Sequence, residues 1–182
     1  SLHSPDSYAI DGIEWWATYE ANKIIVTTEF MRREVCDHFH VTWEKVQIIP
    51  NGIDLRKFPI SIDRDTVRRR YGIHAHERLV LCVGRLVPQK GVEHLIKAVP
   101  LIVQRHHEAK FVIVGDGWLK SHLEYIARST EHGWKISFTG FIPDSELAEL
   151  LMSADALVVP SIYEPFGIVA IEGMAAGVPV VA

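Results

Sequence analysis

The chain has 182 residues, 48% of them hydrophobic and 23% charged, with a formal net charge of −4. That length can bury a sizeable core, and the composition is ordinary for a globular α/β protein. The acidic balance argues against a nucleic-acid surface, and no apolar run approaches the ~20 residues of a membrane-spanning helix.

Residues 13–21 place Ile, Trp, Tyr and Ala at mixed helical spacing, which predicts a helix capped by Asp11. A short strand over 23–27 follows, then a helix from 28 or 29 to 38 with Thr28 as cap, and a buried strand over 46–49 that stops at Pro50-Asn51-Gly52. Residues 54–77 are polar and carry one helix-like segment, 63–71, closed by Gly72. Its run Arg68-Arg69-Arg70 reads as a solvated helix face. From residue 79 the pattern is regular: strands over 79–83, 110–114, 136–139, 156–159 and 179–182, with helices over 92–105, 118–129, 145–153 and 166–176 between them. Apolar strands separated by amphipathic helices require a parallel sheet covered on both faces, and right-handed crossovers make it a doubly wound, Rossmann-like α/β layer.

Two cysteines, Cys36 and Cys82, are too few for a disulfide framework and suit small buried positions, so a reducing, cytoplasmic setting is expected. No charged-then-apolar leader opens the chain. The ten histidines include the close pairs His38/His40, His74/His76 and His106/His107, but none has a second ligand pair at zinc spacing, so no metal is expected. The five tryptophans read as packing residues, with Trp15 and Trp16 the pair to watch. A chain that starts without Met and stops inside a strand-like run is expected to be a piece of a longer enzyme.

The chemistry concentrates at two strand ends. After strand 156–159, Pro165 and Gly167 turn the chain into a helix whose first amides, at Gly167, Ile168 and Val169, lack helical partners and suit an anion. Glu164 in the turn and Glu172 inside the helix would flank a ligand of roughly 8 to 10 Å, and a carboxylate can accept two hydroxyl hydrogen bonds. After strand 79–83, Arg85 and Lys90 lie between Gly84 and Gly91 and together can neutralise a diphosphate. The loop is neither a GxGxxG fingerprint nor a Walker loop.

Glu164 and Glu172 with Pro165-Phe166-Gly167 between them resemble the Glu-x7-Glu motif of GT-B retaining glycosyltransferases, the group that contains bacterial and archaeal glycogen synthases. Val83-Gly84-Arg85-Leu86-Val87-Pro88-Gln89-Lys90-Gly91 and Val114-Gly115-Asp116-Gly117 resemble two further motifs of that family. The resemblance implies that residues 1–52 are the last part of an acceptor-binding domain with its hinge, and that 53–182 are a nucleotide-sugar domain, incomplete at its C-terminus. It implies a hexosyltransferase that moves a sugar, glucose foremost, from UDP- or ADP-sugar to a carbohydrate or glucan acceptor, without a metal. Glu164 would contact the transferred sugar and Glu172 the ribose. Arg85 and Lys90 would hold the diphosphate and, with Glu164, serve catalysis. Gly115, the backbone near Ile142, and Phe166, Gly167, Ile168 and Val169 would complete the donor site, while Phe141 could equally fill the core. The family's Gly-rich loop and histidine of the N-terminal domain have no match, so the piece would bind donor but transfer poorly. Two other readings stand beside this one: a nucleotide-sugar epimerase on the same fold, and a non-catalytic recognition module.

Overall fold

The computed structural model describes residues 5–182, with side chains from residue 10 onward. The chain divides into two compact units, Ser1–Gly52 and Ile53–Ala182.

In the first unit, helix α1 (Pro5–Glu20) leads to strand β1 (Ile24–Val26), helix α2 (Glu29–Phe39) and strand β2 (Val46–Ile48). The two strands pair in parallel, with Ile25 opposite Gln47, and α2 is the crossover between them. Thr28 starts α2 by accepting the amide of Met31 at 3.1 Å. A small core of Val26, Cys36 and Val46 sits under this helix. Helix α1 begins well before residue 13 and runs through Asp11, which is therefore no cap. Pro5 at its first position suits a helix start better, because proline there forfeits only an amide that would be unpaired anyway. From residue 10 onward the large apolar residues of α1 are exposed, and Trp15 stacks on Tyr19 at 5.8 Å rather than on a core.

The second unit contains α3 (Arg64–Arg70), β3 (Arg78–Val83), α4 (Val92–Arg105), β4 (Ala109–Val114), α5 (Lys120–Ser129), β5 (Ile136–Gly140), α6 (Asp144–Ser153), β6 (Ala156–Val158), α7 (Ile168–Ala175) and β7 (Val180–Val181). All five strands are parallel, in the order β5-β4-β3-β6-β7. Side chains alternate between two cores, as the period of two in a strand requires. Leu79, Leu81, Val112, Val114 and Leu157 face one core with Leu150 and Leu151 of α6. Cys82, Phe111 and Ile113 face the other with Ile96 and Val99 of α4 and Leu123 of α5. Burial pushes the Cys82 thiol up to about 12, as expected of a packing residue rather than a nucleophile. The fold is thus an α/β parallel sheet covered on both faces. From β3 the chain moves one way along the sheet to β4, and β6 returns on its other side. Loops leaving β3 and β6 therefore diverge, and this is where an open α/β sheet forms a crevice.

Three expectations are corrected here. Arg68 does not lie on a solvated face: it is 8% exposed and donates to Glu77 O at 2.7 Å and Asp155 Oδ2 at 2.8 Å. It shares the inward side of α3 with Val67, and a guanidinium taken there must be paired. Asp155 meets that need and also accepts the amide of Leu79 at 2.7 Å, so it anchors α3 to the start of β3. The tryptophans are not packing residues either, since all five are between 43% and 74% exposed. Finally, α7 starts at Ile168, not at 166, because Gly167 adopts a left-handed conformation (φ 79°) outside the helical range.

Candidate functional site

The loops that leave β3 and β6 are held against each other. The amide of Ile162 donates to Gln89 O at 2.8 Å, and Gly91, at φ 60°, lies so near Pro160 that a Cβ there would come within 1.9 Å of its carbonyl oxygen. No side chain fits at residue 91 without parting the loops. This packing carries the 3-10 turn Pro88–Lys90 to the Glu164 turn, where Lys90 Nζ meets Glu164 Oε2 at 2.5 Å. The hydroxyl of Ser161 donates to the same oxygen at 3.0 Å. Burial acts to raise the Glu164 pKa, but the hydrogen bonds from Lys90 and Ser161, the Lys90 charge and the Gly167 amide outweigh it. The carboxyl is held below its ordinary range.

The Gly167 amide is therefore turned onto Glu164 rather than outward, which narrows the expected anion site. The amides of Ala170 and Ile171 both reach Gly167 O, at 3.0 and 3.2 Å. Ile168 and Val169 remain, with no backbone acceptor among the described residues, at the positive end of α7. Phe166, half-buried, precedes them. One turn into the helix, Glu172 is ion-paired with Lys57. Lys57 comes from a polar connection that gave no sign of a role, and 115 residues separate the pair. The available signal was indirect: a lone carboxylate on an otherwise apolar helix needs a partner.

Arg85, Gly115 and Ile142 lie on the other side of the β3 loop. They line a cavity of about 270 Å³ together with Gly84, Asp116, Phe141 and Asp144. Among the described residues the Arg85 side chain makes no hydrogen bond or ion pair, and it is exposed. The Gly115 amide is spent on Gly140 O at 2.9 Å, so that residue offers the cavity its surface and carbonyl, not its N–H. Phe141 lines the same cavity and is 78% exposed, which removes it from the core. A hollow of about 600 Å³ in the first unit is lined by Glu14, Glu34, Asp37 and His38, and its carboxylates would repel an anion. Among the described residues no cluster of His, Cys, Asp or Glu could hold a metal ion, and no helix is long and apolar enough to cross a membrane.

This crevice at the carboxyl ends of the strands belongs to a chain with counterparts among known proteins. The family Glycosyl transferases group 1 matches residues 63–182, and Glycosyltransferase Family 4 matches residues 1–57. A glycosyltransferase of Methanocaldococcus jannaschii is 43% identical over 99% of this chain and 47% of its own length. Glycogen synthase of Mycobacterium tuberculosis is 34% identical over 96% of this chain and 40% of its own length, so the chain spans less than half of these relatives. Among solved structures, Anabaena HepE in complex with UDP and glucose superposes with a TM-score of 0.83 at 25% identity, over 100% of this chain and 50% of that one. Sucrose-phosphate synthase of Thermosynechococcus elongatus gives 0.79 at 30% identity, over 95% and 43%.

Proposed function

The chain belongs to the Glycosyl transferases group 1 family, and on that premise we propose that it carries the donor site of a retaining glycosyltransferase that moves glucose from a nucleoside diphosphate to a carbohydrate acceptor, an α-glucan as in glycogen synthase. The observation that carries the reading is the meeting of Lys90 with the Glu164 turn at the amino end of α7. Residues 53–182 bind the donor, and residues 1–52 belong to the acceptor side. Solved relatives named for UDP and for UDP-glucose support a nucleotide sugar as ligand.

The diphosphate lies between Arg85 and Lys90 on one side and the Ile168 and Val169 amides on the other. The base enters the Arg85–Gly115–Ile142 cavity against Phe141, Glu172 takes the ribose, and Glu164 takes the transferred sugar. When the bond from the sugar C1 to the diphosphate oxygen breaks, its electron pair goes to that oxygen. The growing charge is met by fixed cations and amides, which is the electrostatic help such a leaving group needs, and no metal is required. The acceptor hydroxyl oxygen bonds to C1 on the face the diphosphate leaves, and its proton passes to a phosphate oxygen of the donor. Glycoside hydrolysis fits less well, because it needs one of two carboxyls kept protonated, and here each faces an ammonium that favours its ionised form, Glu164 beside Lys90 and Glu172 beside Lys57.

Calorimetry of this chain with UDP, ADP and their glucose conjugates tests the proposal. Binding of one base in preference to the other, lost in Arg85→Ala with Lys90→Ala, is the expected result. No binding by any of the four ligands, or binding unchanged in that double variant, overturns it.

A further inference from the structure

Helix α7 is apolar apart from Glu172, whose side chain is only 12% exposed. A carboxylate so secluded needs a counter-charge. Lys57 supplies it from the start of the second unit: its ammonium donates to Glu172 Oε1, and its own side chain is 27% exposed. The backbone that presents Lys57 is fixed on both flanks. Asp54 accepts the amide of Arg56 at 2.9 Å at the head of the 3-10 turn Leu55–Lys57, and Phe58 packs against the core that holds Val67, Leu150 and Leu151. Among the described residues Glu172 Oε2 accepts no hydrogen bond, and the ammonium has two N–H groups beyond the one given to Glu172.

We propose that Lys57 is a positioning residue of the donor site: it fixes one oxygen of Glu172 so that the other is left for the vicinal hydroxyls of a ribose, and the ion pair as a unit reads that diol. The proposal rests on the assignment of Glu172 to the ribose. A ribose diol has two acceptor oxygens and two O–H donors. The pair matches it with a free carboxylate oxygen and spare ammonium hydrogens, a combination that neither side chain offers alone.

Three ligands separate this role from that of a mere staple: the tighter-binding of UDP and ADP, its 2′,3′-dideoxy analogue, and inorganic pyrophosphate. The unaltered chain should prefer the ribonucleotide over the dideoxy analogue by about tenfold or more, the range expected for hydrogen bonds to charged groups. Lys57→Met should bring that preference close to one while pyrophosphate affinity stays within about twofold, and Lys57→Arg should keep part of the preference. On a Glu172→Gln background Lys57→Met should add little, since the two act as one unit. Lys57→Gln, which keeps a donor without the charge, gives the same readout if the methionine variant does not fold. Preference retained in both Lys57→Met and Lys57→Gln, or equal weakening of all three ligands, overturns the proposal. Preference retained in Glu172→Gln instead overturns the assignment of Glu172 to the ribose.

Discussion

The two sides of the crevice differ in how their charges stand. On the β4 side Arg85 has no hydrogen-bond or ion-pair partner among the described residues and lines a cavity whose other walls are already in place. On the β6 side each cation is matched to a carboxylate, Lys90 to Glu164 and Lys57 to Glu172. On the proposed donor site, an incoming diphosphate would meet Arg85 at no cost in broken contacts, whereas Lys90 would reach phosphate only by sharing or leaving Glu164. Arg85 is free in advance and Lys90 is held on Glu164, so on that reading the first should dominate phosphate affinity and the second should respond to the ligand.

Arg85→Ala gives the sharpest break between the two sides. Nucleoside diphosphate affinity should fall by about 10- to 100-fold, as for loss of hydrogen bonds between charged groups, with the melting temperature unchanged because no protein contact is removed. Lys90→Ala should cost less affinity, since part of its interaction with phosphate is offset by the contact it gives up. It should also lower the melting temperature by leaving Glu164 with a weaker set of partners. Glu164→Gln should bind a sugar-free nucleoside diphosphate a few-fold more tightly, because a competing anion is gone, while binding of the glucose conjugate weakens. Titration calorimetry and thermal melts on the three variants check the affinities and the melting temperatures, and a larger affinity loss from Lys90→Ala than from Arg85→Ala would reverse the comparison.

The smallest effect is on stability against acid. The folded Glu164 pKa lies below its unfolded value, so its contribution is fully present above the ordinary glutamate range and is lost as the pH falls through the folded value. Thermal melts from pH 6 downward should fall less steeply in Glu164→Gln than in the unaltered chain. Equal slopes would mean that the carboxylate gains nothing from Lys90 and Ser161.

The regular half of the molecule was legible because its pattern is local. Strands such as β3 and β4 are continuous apolar runs, amphipathic helices such as α4 lie between them, and Gly and Pro mark the turns, so the parallel sheet followed from spacing alone. Helix α1 was misjudged because its apolar residues face solvent rather than a core, so their spacing did not mark its ends. Arg68 was misjudged for the opposite reason. A run of three arginines looks solvated until the helix is laid on the sheet, where the orientation of α3 buries one of them against Asp155, 87 residues away.

Within the site, residue types and their order along the chain identified Arg85, Lys90, Glu164 and Glu172 as candidates, because charge at a strand end beside glycine is a local signal. Who pairs with whom was not. Lys57 with Glu172 and Lys90 with Glu164 arise where separate loops are packed together, 115 and 74 residues apart. Sequence determines which groups can bear charge and which segments can form strand or helix, since these depend on near neighbours. Distances between groups far apart in the chain depend on how the sheet orders its strands, and only the folded structure decides which charges are spent on one another and which stay free for a ligand.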